Sequence, residues 1–144
     1  MSTSEDRYNL ERFVKAQEGV YEQACAELRA GRKRSHWMWF IFPQIRGLGA
    51  SEMSVRFAIS SLDEARAYLA HEVLGPRLRG AAGIVAAVEG KTVEQIFGYP
   101  DDLKFHSSMT LFAKAAEKGS VFETVLDTYF SGEMDPETLK RIEA

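Results

Sequence analysis

The sequence predicts an all-α fold, a compact single-domain bundle of several helices with at most a minor strand element near residues 55–59. Three observations carry this. Apolar residues recur at the helical period of about 3.6 over several stretches. Three segments read Ser/Thr-x-x-Glu/Gln just ahead of such a stretch, a pattern that lets two side chains satisfy the free N–H groups of a helix start. Asp135-Pro136 adds a cap followed by proline at the first helical position, where a missing N–H costs nothing. At 144 residues and 45% hydrophobic content, the chain can bury a core of its own.

Taken in order, residues 1–7 are expected to be a disordered lead-in, and residues 8–144 one globular helical domain. Asn9 can cap a helix whose inward face is Leu10, Phe13, Val14, Gln17, Tyr21, Ala24, Cys25 and Leu28. Gly19 can break it in two, and Gly31 is a natural stop. Residues 36–42 are too uniformly apolar to separate helix from strand. Pro43 disfavours helix at Phe42, and Gly47 and Gly49 imply a turn. Val55 to Ile59 alternates and is the strand candidate. Ser61-Leu62-Asp63-Glu64 opens a helix carrying Leu62, Ala65, Tyr68 and Leu69 inward. Gly75-Pro76 separates it from, or begins, a helix running to Ala87. Thr92-Val93-Glu94-Gln95 opens a short helix ending near Gly98. A further helix is expected from about Leu103 to Lys118. Ser120-Val121-Phe122-Glu123 opens the next, and Asp135-Pro136 the last.

Composition excludes several function classes. Charged residues make up 27% and the net charge is −3, which gives no overall basic signal for nucleic acid. No apolar run approaches the roughly 18 residues that span a membrane. The polar, acidic start lacks the basic and apolar segments of a signal peptide. One cysteine, Cys25, cannot form an internal disulfide. The expectation is a cytoplasmic protein without a metal or cofactor, its oligomeric state open.

Two constellations mix chemistry in a way that core segments do not. In the first, Arg32, Lys33 and Arg34 run into His36, Trp37, Trp39, Phe40 and Phe42, and then Pro43 and Gln44. A cation binds phosphate or carboxylate, an indole stacks on a flat ring, and an imidazole moves a proton. The competing account is an aromatic core cluster, with the cations complementing a helix C-terminus. In the second, Asp101 to Thr110 places Asp102 one turn before His106 and Lys104 one turn before Ser108. An Asp can orient a His in that spacing, but helix caps and solvated i,i+4 pairs have the same pattern.

Other motifs fail on spacing. Gly90-Lys91-Thr92 lacks the earlier glycine of a phosphate loop, with Val85 in its place. Gly47-Leu48-Gly49 would need a third glycine where Glu52 stands. His36, His71, His106 and Cys25 are too scattered for a zinc site.

The chain resembles the uncharacterised bacterial family called domain of unknown function 1810. The resemblance runs from Tyr8 to about Phe130. Its most specific parts are Gln17 with Tyr21-Glu22, the run from Glu27 to Gln44, and Gly47-Leu48-Gly49. Further matches are Ile59 to Ala65, Tyr68-Leu69, Val73 to Leu78, Ile96-Phe97-Gly98, Asp101 to Phe105 and Ser107 to Phe112. Glu72 departs from the proline usual after His71. The resemblance implies a small, mainly helical single domain and brings no activity, cofactor or catalytic residue.

The residues therefore carry the functional expectation. It is a pocket for a small anionic or nucleotide-like ligand, lined by Arg34, Trp37, Trp39, Gln44, Lys104 and Ser108. Were it an enzyme, a hydrolase or transferase, His36 or Asp102 would be the general acid–base. The alternative is a protein-interaction module presenting Trp37 and Trp39 as an aromatic and basic patch.

Overall fold

The computed structural model describes residues 6–143, which form ten helices. They are α1 (Glu11–Gln17), α2 (Tyr21–Arg29), α3 (Met38–Ile41), α4 (Glu52–Arg56), α5 (Leu62–Ala70), α6 (Leu74–Ala87), α7 (Val93–Phe97), α8 (Asp101–Ala115), α9 (Val121–Phe130) and α10 (Pro136–Glu143). Helix accounts for 62% of the described residues, and no strand occurs among them. The lead-in expected over residues 1–7 lies largely outside them. Asp6 lies inside, and its carboxylate accepts the Leu10 and Glu11 N–H groups at 2.6 and 3.1 Å. Asp6 therefore does the capping expected of Asn9, which instead takes a left-handed φ of 53°.

The long helix α8 is the hub. It packs against α3, α5, α7, α9 and α10, while α6 joins α2, α5 and α9. Its apolar residues Phe105, Met109, Leu111 and Phe112 are fully buried. Aromatic rings link the core across elements. Phe105 meets Phe42 edge-on at 4.9 Å and stacks on Phe97 at 4.4 Å, and Phe13 meets Tyr68 edge-on at 5.2 Å. Such pairs add to the area they bury. Some of the polar groups that enter the core are matched there. Gln17 donates to the Phe40 carbonyl at 2.7 Å and to the Tyr68 hydroxyl at 3.1 Å.

The three capping patterns behave differently. Thr92 and Gln95 form the full reciprocal box. Ser61 accepts from the Glu64 N–H, but the Glu64 carboxylate turns to Ser60 and Arg12. Ser120 makes no capping bond, and Glu123 accepts from the Gly119 N–H instead. The run at 55–59 also differs from its alternating pattern. Ser51 caps α4, which takes in Val55 and Arg56. Ile59 alone pairs, in a single parallel bridge with Ile45. That bridge holds the 43–49 loop against the body.

Candidate functional site

The segment from Arg32 to Trp37 has no regular structure, so its backbone needs partners elsewhere. One buried carboxylate on α2 takes two of its backbone N–H groups and the Trp37 indole. Glu27 Oε1 accepts from the Arg34 N–H at 2.7 Å, the Ser35 N–H at 3.0 Å and the Trp37 indole N–H at 2.9 Å. Its Oε2 accepts from the Ser35 hydroxyl at 2.7 Å and from Gln23 at 3.1 Å. Burial pushes the Glu27 pKa up. The donors from Ser35, Arg34 and Trp37 outweigh it and bring the pKa down to about 2. Lys33 anchors the same segment at its other side. Its N–H reaches the Ile96 carbonyl at 2.7 Å, its ammonium pairs with Asp101 at 2.8 Å, and it lies 5.1 Å from the Trp37 ring centre.

Past this knot, α3 and the loop after it form a recess. The Gln44 carbonyl accepts from the Ile59 N–H, and the Arg46 N–H donates to the Ile59 carbonyl, both at 2.8 Å. Gly47 then turns with a left-handed φ of 98°, which a side chain would oppose. The recess is lined by Trp39, Gln44, Gly47, Gly49, Ser54 and Phe57, with space of ≈ 10 Å³ for one water-sized group. The Trp39 indole N–H is buried and meets no acceptor among the described residues. The Lys104 ammonium lies over the Trp39 ring, 5.4 Å from its centre, and also pairs with Asp101 at 3.4 Å.

The structure separates the expected site residues. Trp39 and Gln44 line the recess, and Lys104 lies over the Trp39 ring without being one of the lining residues. Trp37 does not join them. It is fully buried with its N–H given to Glu27, so it is neither a pocket wall nor a surface patch. Ser108 is likewise fully buried inside α8, its hydroxyl without a partner among the described residues. Arg34 and His36 are exposed on the 32–37 segment. Asp102 is buried at the start of α8 with Oδ1 unpartnered among the described residues. No hydrogen bond joins Asp102 to His106 among the described residues. His106 stacks on Phe130 and contacts the Glu133 carbonyl at 2.8 Å. No group of three or more His, Cys, Asp or Glu residues gathers among the described residues.

Sequence reasoning missed Glu27, Asp101 and Ser54. The first two are carboxylates on helices with ordinary i,i+4 patterns, and nothing local marks them. A signal did exist for Glu27: a run of irregular, partly buried backbone must find acceptors, and an acid one turn before the helix end is within reach.

A helical chain built around one central helix, with a cation over an aromatic recess, is thus the kind of protein this is. It belongs to the family described as "Protein of unknown function (DUF1810)", which matches residues 7–142. No curated protein matches it. The crystal structure of the conserved hypothetical protein Rv1873 from Mycobacterium tuberculosis is similar throughout. The two are 54% identical with a TM-score of 0.92, over 94% of this chain and 97% of that one. No helix among the described residues is long and apolar enough to cross a membrane.

Proposed function

We propose that the chain binds a small anionic or nucleotide-like ligand at the mouth of the Trp39 recess, with one acceptor atom entering the water-sized space and the rest of the ligand outside it. One observation carries this reading. Trp39 lines the recess, its indole N–H is buried without an acceptor among the described residues, and an ammonium group sits over its ring. A buried donor left unmatched costs about 1–3 kcal/mol, and an anionic acceptor removes that cost while meeting the charge. Gln44 and Ser54 offer directional partners at the rim. Binding, in the cytoplasm, is the whole of the proposal. Neither His36 nor Asp102 lines the recess, so no catalytic step is assigned.

The interaction-module alternative is weaker because it needs both indoles at the surface, and Trp37 is buried. The test is a thermal-shift screen with phosphate, carboxylates and nucleoside monophosphates. A ligand at about 100 times its Kd adds about 2.7 kcal/mol of stability. The shift should appear in the wild type and shrink in both Trp39→Phe, which keeps a ring and loses the N–H, and Lys104→Gln. A panel that moves nothing, or a shift that survives both substitutions, overturns the proposal.

A further inference from the structure

We propose a second ligand site in the open cleft between α1 and α4, suited to an acidic amino acid. It does not depend on the Trp39 reading. The cleft measures ≈ 390 Å³, within the range of about 300–1,000 Å³ usual for small-molecule sites. Its walls include Glu11, Arg12 and Lys15 from α1, and Arg56 and Phe57 from the end of α4.

Arg12 fixes the frame. Its guanidinium donates to the carbonyls of Tyr8, Asn9, Arg56 and Ala58 at 2.6, 2.8, 3.0 and 2.8 Å, and to the Glu64 carboxylate at 3.1 Å. An arginine has five N–H donors, so Arg12 ties α1 to the end of α4 and to α5 and keeps none for a ligand. Its charge is met by Glu64. Phe57 is buried, and the Arg56 guanidinium lies 5.3 Å from its ring centre.

Three charges are left over. Glu11, Lys15 and Arg56 are exposed, line the same cleft and make no ion pair among the described residues. Glu11 precedes Lys15 by one turn of α1, the order that favours pairing on a helix, yet the two do not close on each other. Two cations and one carboxylate complement a ligand with two carboxylates and one ammonium group. A plain dicarboxylate would be repelled by Glu11, and an amino acid with a neutral side chain would leave one cation unmet. An acidic amino acid meets all three.

Three ligands separate these cases: L-glutamate, glutarate, which lacks the ammonium group, and γ-aminobutyrate, which lacks one carboxylate. We would measure their affinities by calorimetry near neutral pH and at low salt, where exposed charges are least screened. The wild type should prefer glutamate. Lys15→Gln and Arg56→Gln should each weaken glutamate by about tenfold, and Glu11→Gln should remove its preference over glutarate. Circular dichroism checks that each variant is folded. No binding of glutamate to the wild type, or binding that survives all three substitutions, overturns the site. Binding kept in Lys15→Gln and Arg56→Gln but lost in Trp39→Phe belongs to the recess and overturns it too. Glutarate bound by the wild type as tightly as glutamate overturns the ligand class.

Discussion

Glu27 gathers five donors onto two oxygens, and that concentration sets its cost and its pH dependence. Glu27→Gln keeps the shape but replaces one acceptor oxygen with a donor that faces other donors. We expect a loss on the order of 2 kcal/mol, read from urea unfolding at neutral pH. The sign with pH follows from the direction of the shift. The folded pKa lies at about 2, below the usual 4.5, so the stabilisation is present above the unfolded value and fades as pH falls from about 4.5 to about 2. Glu27→Gln should flatten that part of the stability profile. The two tryptophans give a second contrast. Trp37→Ala should cost roughly 3–5 kcal/mol, as for a fully buried aromatic, while Arg34→Ala, exposed nearby, should fall within about 0.5 kcal/mol of wild type.

At the scale of elements, two glycines of α6 should respond with opposite signs. A side-chain carbon at Gly75 would run into the Leu69 carbonyl oxygen, backbone that cannot move aside, where α5 meets α6. At Gly83 it would meet nothing within 4 Å. Gly83→Ala should therefore stabilise by about 0.5–1 kcal/mol, by helix propensity alone, and Gly75→Ala should destabilise by about 1–3 kcal/mol or more. Helix starts supply a similar pair. Thr92→Ala removes a working cap and should cost about 1 kcal/mol. Ser120→Ala removes a buried hydroxyl that bonds nothing and should be neutral or stabilising. Equal losses at Thr92 and Ser120 in chemical denaturation would contradict the difference between the two helix starts.

Across the whole molecule, what could be read in advance was what is locally encoded. Leu62, Ala65 and Tyr68 repeat at the helical period, and Asp135 caps from a few residues away, so helices and their order follow from short windows. The 32–49 region was opaque because its partners lie on other elements, the nearest being Glu27 on α2 and the remote ones Ile96 on α7 and Ile59 beyond α4. Val55 to Ile59 alternates like a strand, yet Ser51 starts a helix there and no neighbouring strand waits for it. Trp39 and Lys104 do meet, as their chemistry suggested. Trp37 and Trp39 could not be told apart in a uniformly apolar run, since Trp37 precedes α3 and Trp39 lies within it, and only the packing says which faces in. The attachment of α10 has a consequence of another kind. Thr138 is its one buried residue, and hydroxyls on α8 hold its start. Little apolar surface appears when it lifts away, so its amides should exchange with deuterium well before those of α8, through an opening much cheaper than unfolding.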